Sequence, residues 1–289
     1  MLMALSTLLA LSSAHTFGCG RPRGGFGACQ LHTLRMNQPP APRPPPRPPL
    51  CVLDLDMCVW RPEMYELYDI PTESDAMRGD LNGRGEGVSA VRSGAHTISI
   101  FPGALAALQQ VCRVVCRVVC RVDSRLPGKS WAGKHGREGF DAMFSLQVYD
   151  GEMGAMRLAA ASSADTPRAV QIGRAAMELL EVVPGVSLYS LFMRGWEGAE
   201  GEPNLQIGRT PPLSSDKSKT HFPRLRELTG VPYEDMLFFD DSNWSDHCAI
   251  VAANCKGVVT QRTPRGMTLA EWEAGLKRWA DSRDDQGCS

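Results

Sequence analysis

Two pairs of aspartates carry the most informative chemistry in this sequence. Asp54 and Asp56 follow one short apolar run, and Asp240 and Asp241 follow another. In a sheet of parallel strands the carboxyl ends meet at one edge, so four carboxylates there would repel one another. A divalent cation relieves that repulsion, and Mg²⁺ typically binds one or two carboxylates together with water and phosphate oxygens. Asp-Leu-Asp alone is also typical of a strand that ends in a turn, so the prediction of an Mg²⁺ site depends on both pairs together.

A serine and two lysines lie between these acid pairs in the sequence. Ser162 ends the run RLAAAS, where its hydroxyl can donate to a phosphate oxygen, and Lys217 and Lys219 precede a predicted helix. A lysine there can neutralise a bound phosphate and the nearby carboxylates. Each residue alone is typical of an ordinary strand end or a solvated loop. The order of acid pair, serine, lysine and acid pair, each at a strand exit or a helix start, favours one shared site.

The elements that must position these residues are short apolar runs that alternate with helical stretches after residue 50. This alternation predicts an α/β fold with a mostly parallel sheet. Two of the runs are expected to form a β-hairpin, and Gly195–Asp216 is expected to be a loop. The predicted strands are Leu50–Leu53, Val88–Val91, Thr97–Phe101, Arg157–Ser162, Val186–Met193, Met236–Phe239 and Gly257–Thr260. The predicted helices are Pro102–Val111, Pro167–Val182, Thr220–Thr229, Trp244–Asn254 and one that begins at the capping box Thr268–Glu271.

The first fifty residues differ in composition from the rest. They hold five arginines and no acidic residue, and residues 39–49 contain eight of the 21 prolines. Residues 1–14 resemble the apolar part of a signal sequence, and the arginines that follow are typical of an organelle transit segment. We therefore predict a targeting segment or a disordered tail at 1–38, a proline-rich linker at 39–49 and a folded domain at 50–282. The expected compartment is a plastid-like organelle or the cytoplasm, and no apolar run reaches the roughly 18 residues of a membrane span.

Residues 111–150 are predicted to be an insertion or a loop within that domain. They contain a tandem VCRV repeat with Cys112, Cys116 and Cys120. On a helix the three thiols would share one face and could bind a metal. No other Cys or His stands nearby at ligand spacing, so reduced thiols are the expectation.

The motifs in this order resemble those of the haloacid-dehalogenase superfamily, and within it the magnesium-dependent acid phosphatase family. The resemblance is carried by DLDMCVW at 54–60, Ser162, KTHF at 219–222 and FFDD at 238–241. It covers most of residues 50–280. It implies a Rossmann-like α/β core with a mostly parallel sheet and a small β-hairpin cap.

The resemblance also implies roles for the four acids. Asp54 would attack phosphorus and form an aspartyl-phosphate. Asp56 would protonate the leaving group and then activate the hydrolytic water. Mg²⁺ would bind the Asp54 carboxylate, the main-chain carbonyl of Asp56 and one acid of the second pair. We favour Asp241 for that ligand, with Asp240 beside it.

The phosphoryl group would be held by Ser162 and a lysine. The lysine of the family, counted back from His221, falls on Ser218, which stands between Lys217 and Lys219. We expect Lys219 to be catalytic and Lys217 to bind the substrate. His221 is interpreted as a residue of the first helical turn without a catalytic role.

The sequence therefore predicts a Mg²⁺-dependent phosphatase that acts on a small phosphate ester or a phosphoprotein. The family resemblance implies phosphotyrosine or sugar phosphate as the substrate. Trp60 and Trp244 follow the acid pairs and are expected at the mouth of the site, where they would bind a tyrosyl or sugar ring. A net charge of −1 argues against a nucleic-acid binder. Two alternatives are a catalytically impaired module that binds phosphoproteins or metal, and a phosphotransferase that passes the phosphoryl group to an alcohol.

Overall fold

The computed structural model describes residues 46–123 and 156–284, and for 113–123 it describes the backbone only. These residues belong to one of two compact units of the chain, residues 44–289. The predicted targeting segment 1–38 and most of the linker at 39–49 lie outside the described residues. So does much of the predicted insertion, together with the side chains of Cys116 and Cys120.

A five-stranded parallel sheet forms the centre of the described unit. Its strands lie in the order β11-β10-β1-β6-β9, and every neighbouring pair is parallel. This order confirms the predicted Rossmann-like α/β core. The strands are β1 (Leu50–Leu53), β6 (Arg157–Ser162), β9 (Leu205–Ile207), β10 (Met236–Asp240) and β11 (Val259–Arg262).

Both faces of this sheet are covered, which explains why its strands are continuous apolar runs. Along β1, Leu50 and Val52 pack into one apolar cluster, whereas Cys51 and Leu53 pack into the cluster on the opposite face. All four residues are fully buried. The alternation follows from the two-residue period of a strand.

A second, antiparallel sheet has the order β2-β5-β4-β3 and corresponds to the predicted small cap. The predicted hairpin forms its centre as β4 (Glu86–Ser93) and β5 (His96–Ile100). Two strands that were not predicted flank it, β2 (Trp60–Arg61) and β3 (Ala76–Asp80). Because β2 begins only four residues after Asp56, the cap starts directly beside the first acid pair.

Six α-helices lie in the described residues. Helix α1 continues to Asp123, which corrects the prediction that an insertion or loop begins at Val111. The VCRV repeat contains no glycine or proline, so nothing in it stops an established helix. No helix in this part of the protein has the length and apolar character of a membrane span. The helices are α1 (Pro102–Asp123), α2 (Pro167–Leu179), α3 (Leu188–Phe192), α4 (His221–Thr229), α5 (His247–Asn254) and α6 (Leu269–Asp284).

The prediction of a strand at Val186–Met193 is wrong. Only β8 (Val186–Ser187) is extended, and it pairs with β7 (Glu181–Val183), whose first two residues were predicted to belong to the preceding helix. The Ser187 hydroxyl accepts a hydrogen bond from Ser190 N at 3.1 Å and caps α3, so the following apolar residues form a helix. The predicted loop Gly195–Asp216 likewise contains β9.

Candidate active site

Asp54, Asp240 and Asp241 lie together at the carboxyl edge of the central sheet. Asp54 follows β1 and Asp240 ends β10, and Leu53 pairs with Phe239 in the parallel register of these strands. The backbone N of Asp54 donates to the Phe239 carbonyl at 2.9 Å. Carboxylate oxygens of the three aspartates lie within 4.8 Å of one another. The structure thus brings three of the four predicted acids into one cluster.

Lys217 supplies the positive charge at the centre of this cluster. Its Nζ lies 2.9 Å from Asp54 Oδ1 and 2.6 Å from Asp240 Oδ2, and its side chain is 1% exposed. Burial alone would lower the pKa of Lys217, but the carboxylates of Asp240 and Asp54 outweigh burial and raise it. Lys217 therefore remains protonated and neutralises part of the charge of the three acids.

Lys219, predicted from the sequence to be the catalytic lysine, does not reach the site. Its side chain is 78% exposed and its Nζ pairs with Asp216 Oδ2 at 3.1 Å. A turn accounts for this, because Lys219 N donates to the Asp216 carbonyl and Ser218 N donates to Asp216 Oδ1, both at 3.1 Å. The turn directs Lys217 into the protein and leaves Lys219 in solvent. Of the two predicted lysines, Lys217 therefore lies in the site and Lys219 does not.

The two acids of the second pair differ in their hydrogen bonds. Asp240 Oδ2 is bound by Lys217, and Asp240 Oδ1 accepts hydrogen bonds from Ser242 N at 2.7 Å and Ser242 Oγ at 3.1 Å. Asp241 Oδ2 is buried and has no hydrogen-bond partner among the described residues. Asp241 thus offers an uncommitted, hard oxygen ligand, whereas Asp240 positions the lysine.

The electrostatics of the cluster favour a cation. Burial, followed by the charge of Asp240, raises the pKa of Asp241 to about 6. Burial also raises the pKa of Asp54 well above its usual range, although Lys217 opposes the shift. A divalent cation would favour the ionised form of both groups, and oxygen ligands are the ones that Mg²⁺ prefers. The residues present therefore fit a Mg²⁺ ion held by Asp54 and Asp241.

Asp56 lies beside this cluster. Its side chain is bound by residues 60–64 at the base of the cap, called the cap base below. Asp56 Oδ1 accepts a hydrogen bond from Trp60 Nε1 at 2.7 Å, and Asp56 Oδ2 accepts one from Met64 N at 3.1 Å. Burial raises the pKa of Asp56 to about 7, against the effect of these two hydrogen bonds. A carboxyl group with such a pKa exchanges protons readily near neutral pH.

Trp60 does not line the site, contrary to the expectation that it binds substrate. The side chain is fully buried in the core, with Gly173 of α2 packed against it. Its single donor is used by Asp56, so Trp60 orients the carboxyl group instead of contacting substrate.

Ser162 lies at the carboxyl end of β6 and lines the same cavity. Its carbonyl accepts hydrogen bonds from Gly208 N at 2.8 Å and from His221 Nε2 at 3.2 Å. His221 is fully buried, and its Nδ1 contacts Thr220 Oγ1 at 3.1 Å. Burial, followed by the charge of Lys217, lowers the pKa of His221 to about 4, so the ring is neutral. No sequence motif indicates this role for His221, because its contact with Ser162 depends on tertiary packing alone.

Comparisons with known proteins agree with this geometry. A family model described as acid phosphatase matches residues 140–282, which include Ser162, Lys217, Asp240 and Asp241 but not Asp54. The chain is also 36% identical over 64 residues to magnesium-dependent phosphatase 1 of Homo sapiens. Both matches support the magnesium-dependent acid phosphatase family. That confirms the resemblance read from the motifs. The aligned stretch covers 22% of this chain and 34% of the human protein, so the chain spans about a third of the curated relative it matches.

The candidate active-site pocket is a cavity of about 320 Å³ above the acid cluster. Loops from the cap base and from the carboxyl edge of the sheet complete its wall. Trp244 lies there as expected, and most of the other wall residues were missed because they carry no motif. Besides the residues described above, the wall includes Glu63, Tyr65, Asp165, Arg209, Trp244 and His247.

Proposed function

We propose that this protein is a Mg²⁺-dependent phosphatase that hydrolyses phosphate monoesters through an aspartyl-phosphate on Asp54. The observation that carries the proposal is the arrangement around Asp54. This buried carboxylate is ion-paired to Lys217 at 2.9 Å and lies within the cluster that contains the uncommitted oxygen of Asp241. The partial match to the acid phosphatase model and to the human phosphatase supports the same reaction class.

In the first step a carboxylate oxygen of Asp54 attacks phosphorus. The bond between phosphorus and the leaving oxygen breaks as the new bond to Asp54 forms, and the proton of Asp56 moves to the leaving oxygen. Lys217 and the Ser162 hydroxyl bind the oxygens of the transferring group. Phosphoryl transfer requires mainly positioning and charge neutralisation, which these groups supply.

In the second step water replaces Asp54. The Asp56 carboxylate, ionised by the first step, accepts a proton from the water whose oxygen attacks phosphorus. The bond to Asp54 breaks and inorganic phosphate leaves. A pKa of about 7 suits Asp56 for both donating and accepting this proton.

Asp54 and Asp241 would hold the Mg²⁺ ion, with the main-chain carbonyl of Asp56 as a further ligand. The ion would neutralise negative charge on the phosphoryl oxygens. Asp240 acts indirectly, since both of its oxygens are committed to Lys217 and Ser242. The substrate class we propose is a phosphotyrosine-like or sugar phosphate monoester, either free or on a protein.

The test is phosphate release by the full chain from phenyl phosphate, with Mg²⁺ and with a chelator. We expect metal-dependent release that is lost in Asp54→Asn and unchanged in Asp281→Asn, a surface acid paired with Lys277. With 4-nitrophenyl phosphate, whose leaving group departs without a proton from Asp56, the Asp56→Asn variant should accumulate phosphate on the protein, sensitive to hydroxylamine.

Other outcomes would identify the two alternatives. Mg²⁺ binding without release of phosphate or phenol would indicate a binding module. Phenol released in excess of phosphate when an alcohol is present would indicate a phosphotransferase.

A further inference from the structure

Arg209 lies beside Ser162 at the carboxyl edge of the central sheet. In the parallel pairing of β9 with β6, Ile207 stands opposite Ser162, and Gly208 N donates to the Ser162 carbonyl at 2.8 Å. The next residue, Arg209, donates its Nε to the Ser163 carbonyl at 2.7 Å and lines the active-site pocket. This bond fixes the guanidinium next to the serine that is proposed to bind the phosphoryl group.

The two Nη atoms of Arg209 remain available to a ligand. The side chain is exposed, and among the residues that the structure describes it forms no ion pair and makes no hydrogen bond other than that of its Nε. A guanidinium has five N–H donors in a fixed fork, so four donors are uncommitted. Burial, followed by the charges of Lys217 and Arg209, lowers the pKa of His247 on another part of the pocket wall. The charge of Arg209 therefore acts across the pocket.

The pocket needs more positive charge than Lys217 alone supplies. In the described part of the chain, Lys217 and Arg209 are the two basic side chains of the pocket wall besides the neutral ring of His247. The ammonium of Lys217 is shared between the carboxylates of Asp54 and Asp240, at 2.9 and 2.6 Å, so most of its charge is balanced within the protein. A phosphate monoester brings about 1.5 to 2 negative charges at neutral pH. Arg209 carries the unpaired positive charge that can meet them.

The phosphoryl group is the anion that this wall favours, rather than a second anionic group elsewhere on the substrate. Glu63 and Asp165 line the same pocket, and their carboxylates would repel a further negative charge placed away from the acid cluster and its cation. A guanidinium matches the oxygens of a phosphoryl group with two parallel N–H···O bonds. The position beside Ser162 suits that contact.

We propose that Arg209 is a further phosphoryl-binding residue, whose free Nη donors bind two oxygens of the phosphate monoester. Its role rests on the proposed function, because that function places the transferring group between Asp54 and Ser162. Through both steps Arg209 would hold the group in place and neutralise charge on its oxygens, which are the main requirements of phosphoryl transfer. The binding itself can be measured without turnover.

The test uses methylphosphonate, which carries the charged phosphorus group but no leaving group. Calorimetric titration of the full chain in the presence of Mg²⁺ gives its Kd. Arg209→Met should weaken binding by about tenfold, the lower end of the range for a hydrogen bond to a charged group. Arg209→Lys keeps the charge but loses the fork, so its Kd should lie between those of the wild type and Arg209→Met. Titration with Mg²⁺ alone should show no loss of metal affinity in either variant, as expected if the acid cluster is intact.

Arg168→Met is the matched control. Arg168 is also an exposed arginine whose Nε donates to a backbone carbonyl, that of Tyr68 at 2.9 Å, but it lies outside the pocket wall. Its replacement removes the same charge and should change the Kd for methylphosphonate by less than about a factor of two. Equal losses in Arg168→Met and Arg209→Met would overturn the proposal, because the effect would then be one of overall charge.

Three further results would overturn the proposal. They are a wild type that does not bind methylphosphonate, an Arg209→Met variant that binds it as tightly as the wild type, and a variant that loses affinity for phosphonoacetate alone. The last result would assign Arg209 to a second anionic group of the substrate.

Phosphate release from phenyl phosphate, measured in parallel, separates this proposal from the proposed function. Absence of release by the wild type, together with a tenfold loss of methylphosphonate affinity in Arg209→Met, would reject the phosphatase and leave the anion contact of Arg209 supported. Release by the wild type, together with unchanged methylphosphonate affinity in Arg209→Met, would reject the role of Arg209 and leave the phosphatase supported.

Discussion

At the scale of single residues, the charge of Lys217 distinguishes this site from an ordinary cluster of acids. Lys217→Met removes the cation that contacts Asp54 and Asp240 and leaves their carboxylates unpaired. We expect kcat for phenyl phosphate to fall by about 10²–10³-fold, the usual effect of removing one electrostatic contact to a reacting group.

Lys219→Met provides the comparison, since it removes an equal charge only two residues away. Its surface pair with Asp216 contributes little, so kcat should stay within about a factor of two. Circular dichroism and thermal unfolding of both variants separate catalysis from folding. Equal losses in the two variants would contradict the position assigned to Lys217.

His221 makes stability depend on pH. Its pKa is about 4 in the folded protein, lowered from 6.5, so between these values only the unfolded state takes up a proton. The contribution of neutral His221 to the free energy of unfolding is complete above pH 6.5 and is lost as the pH falls towards 4. At pH 5 the free energy of unfolding is lower by about 2 kcal/mol. Urea unfolding at pH 7.5 and pH 5 measures it.

His221→Gln serves as the reference, since it keeps a side-chain donor for the Ser162 carbonyl and does not titrate. The acids of the site, whose pKa values are raised, change stability with the opposite sign in both proteins. The difference between wild type and variant therefore isolates the histidine. Parallel pH dependences in the two proteins would show that His221 is not buried in its neutral form.

At the scale of elements, the packing of α6 on β10 leaves no room beside Gly275. A Cβ there would lie 2.6 Å from Phe239 Cζ, and Phe239 precedes the second acid pair on β10. Gly275→Ala should lower the free energy of unfolding by about 1–3 kcal/mol through overpacking, despite the better helix propensity of alanine.

Gly173 in α2 is the matched site for this prediction. It is also a buried helical glycine, but its Cβ would meet Trp60 at 3.6 Å, an ordinary contact. Gly173→Ala should therefore stabilise the protein by about 0.5–1 kcal/mol. Chemical denaturation of both variants measures the difference, and a destabilised Gly173→Ala protein would contradict this view of α2.

The sequence allowed the central sheet and the position of the acid pairs to be predicted, because buried parallel strands are unbroken apolar runs. β1, β6 and β10 each have this pattern, and Asp54 and Asp240 stand at strand ends. The shorter elements were missed for the converse reason. β9 has three residues, too few for a period to be visible, and apolar residues after Ser187 suit a strand or a helix equally.

The side-chain roles that failed depend on contacts distant in sequence. Neither Lys217 nor Lys219 has a local pattern that indicates which one points inward; the carboxylates that pair with Lys217, those of Asp54 and Asp240, are both distant in sequence. Trp60 follows the first acid pair as an aromatic residue at the site would, but packing against α2 buries its ring. Such contacts become visible only when the elements are assembled.

At the scale of the whole molecule, the acid cluster couples metal binding to folding. A ligand that binds only the folded protein stabilises it, by about 2.7 kcal/mol at one hundred times its Kd. We expect Mg²⁺ to raise the melting temperature of the full chain by several degrees and a chelator to reverse this. Differential scanning calorimetry at increasing Mg²⁺ concentration measures the shift.

Asp241→Asn tests whether the Asp241 carboxylate binds the Mg²⁺ ion that stabilises the protein. The variant loses a buried charge next to Asp240, so it should melt above the wild type without Mg²⁺ and respond little to added Mg²⁺. Asp281→Asn, on the surface of α6, should respond like the wild type. A full Mg²⁺ response in Asp241→Asn would assign the metal to other ligands.

The pairing of β1 with β10 has a consequence for how such a protein can diversify. Because Leu53 pairs with Phe239, the two acid pairs are separated by one interstrand spacing, about 4.8 Å, whatever loops surround them. The cap base and the loop that carries Trp244 can accept substitutions and changes of length without altering that separation. The spacing of the acid pairs is thus inherited with the sheet, and the loop that carries Trp244 can change without altering it.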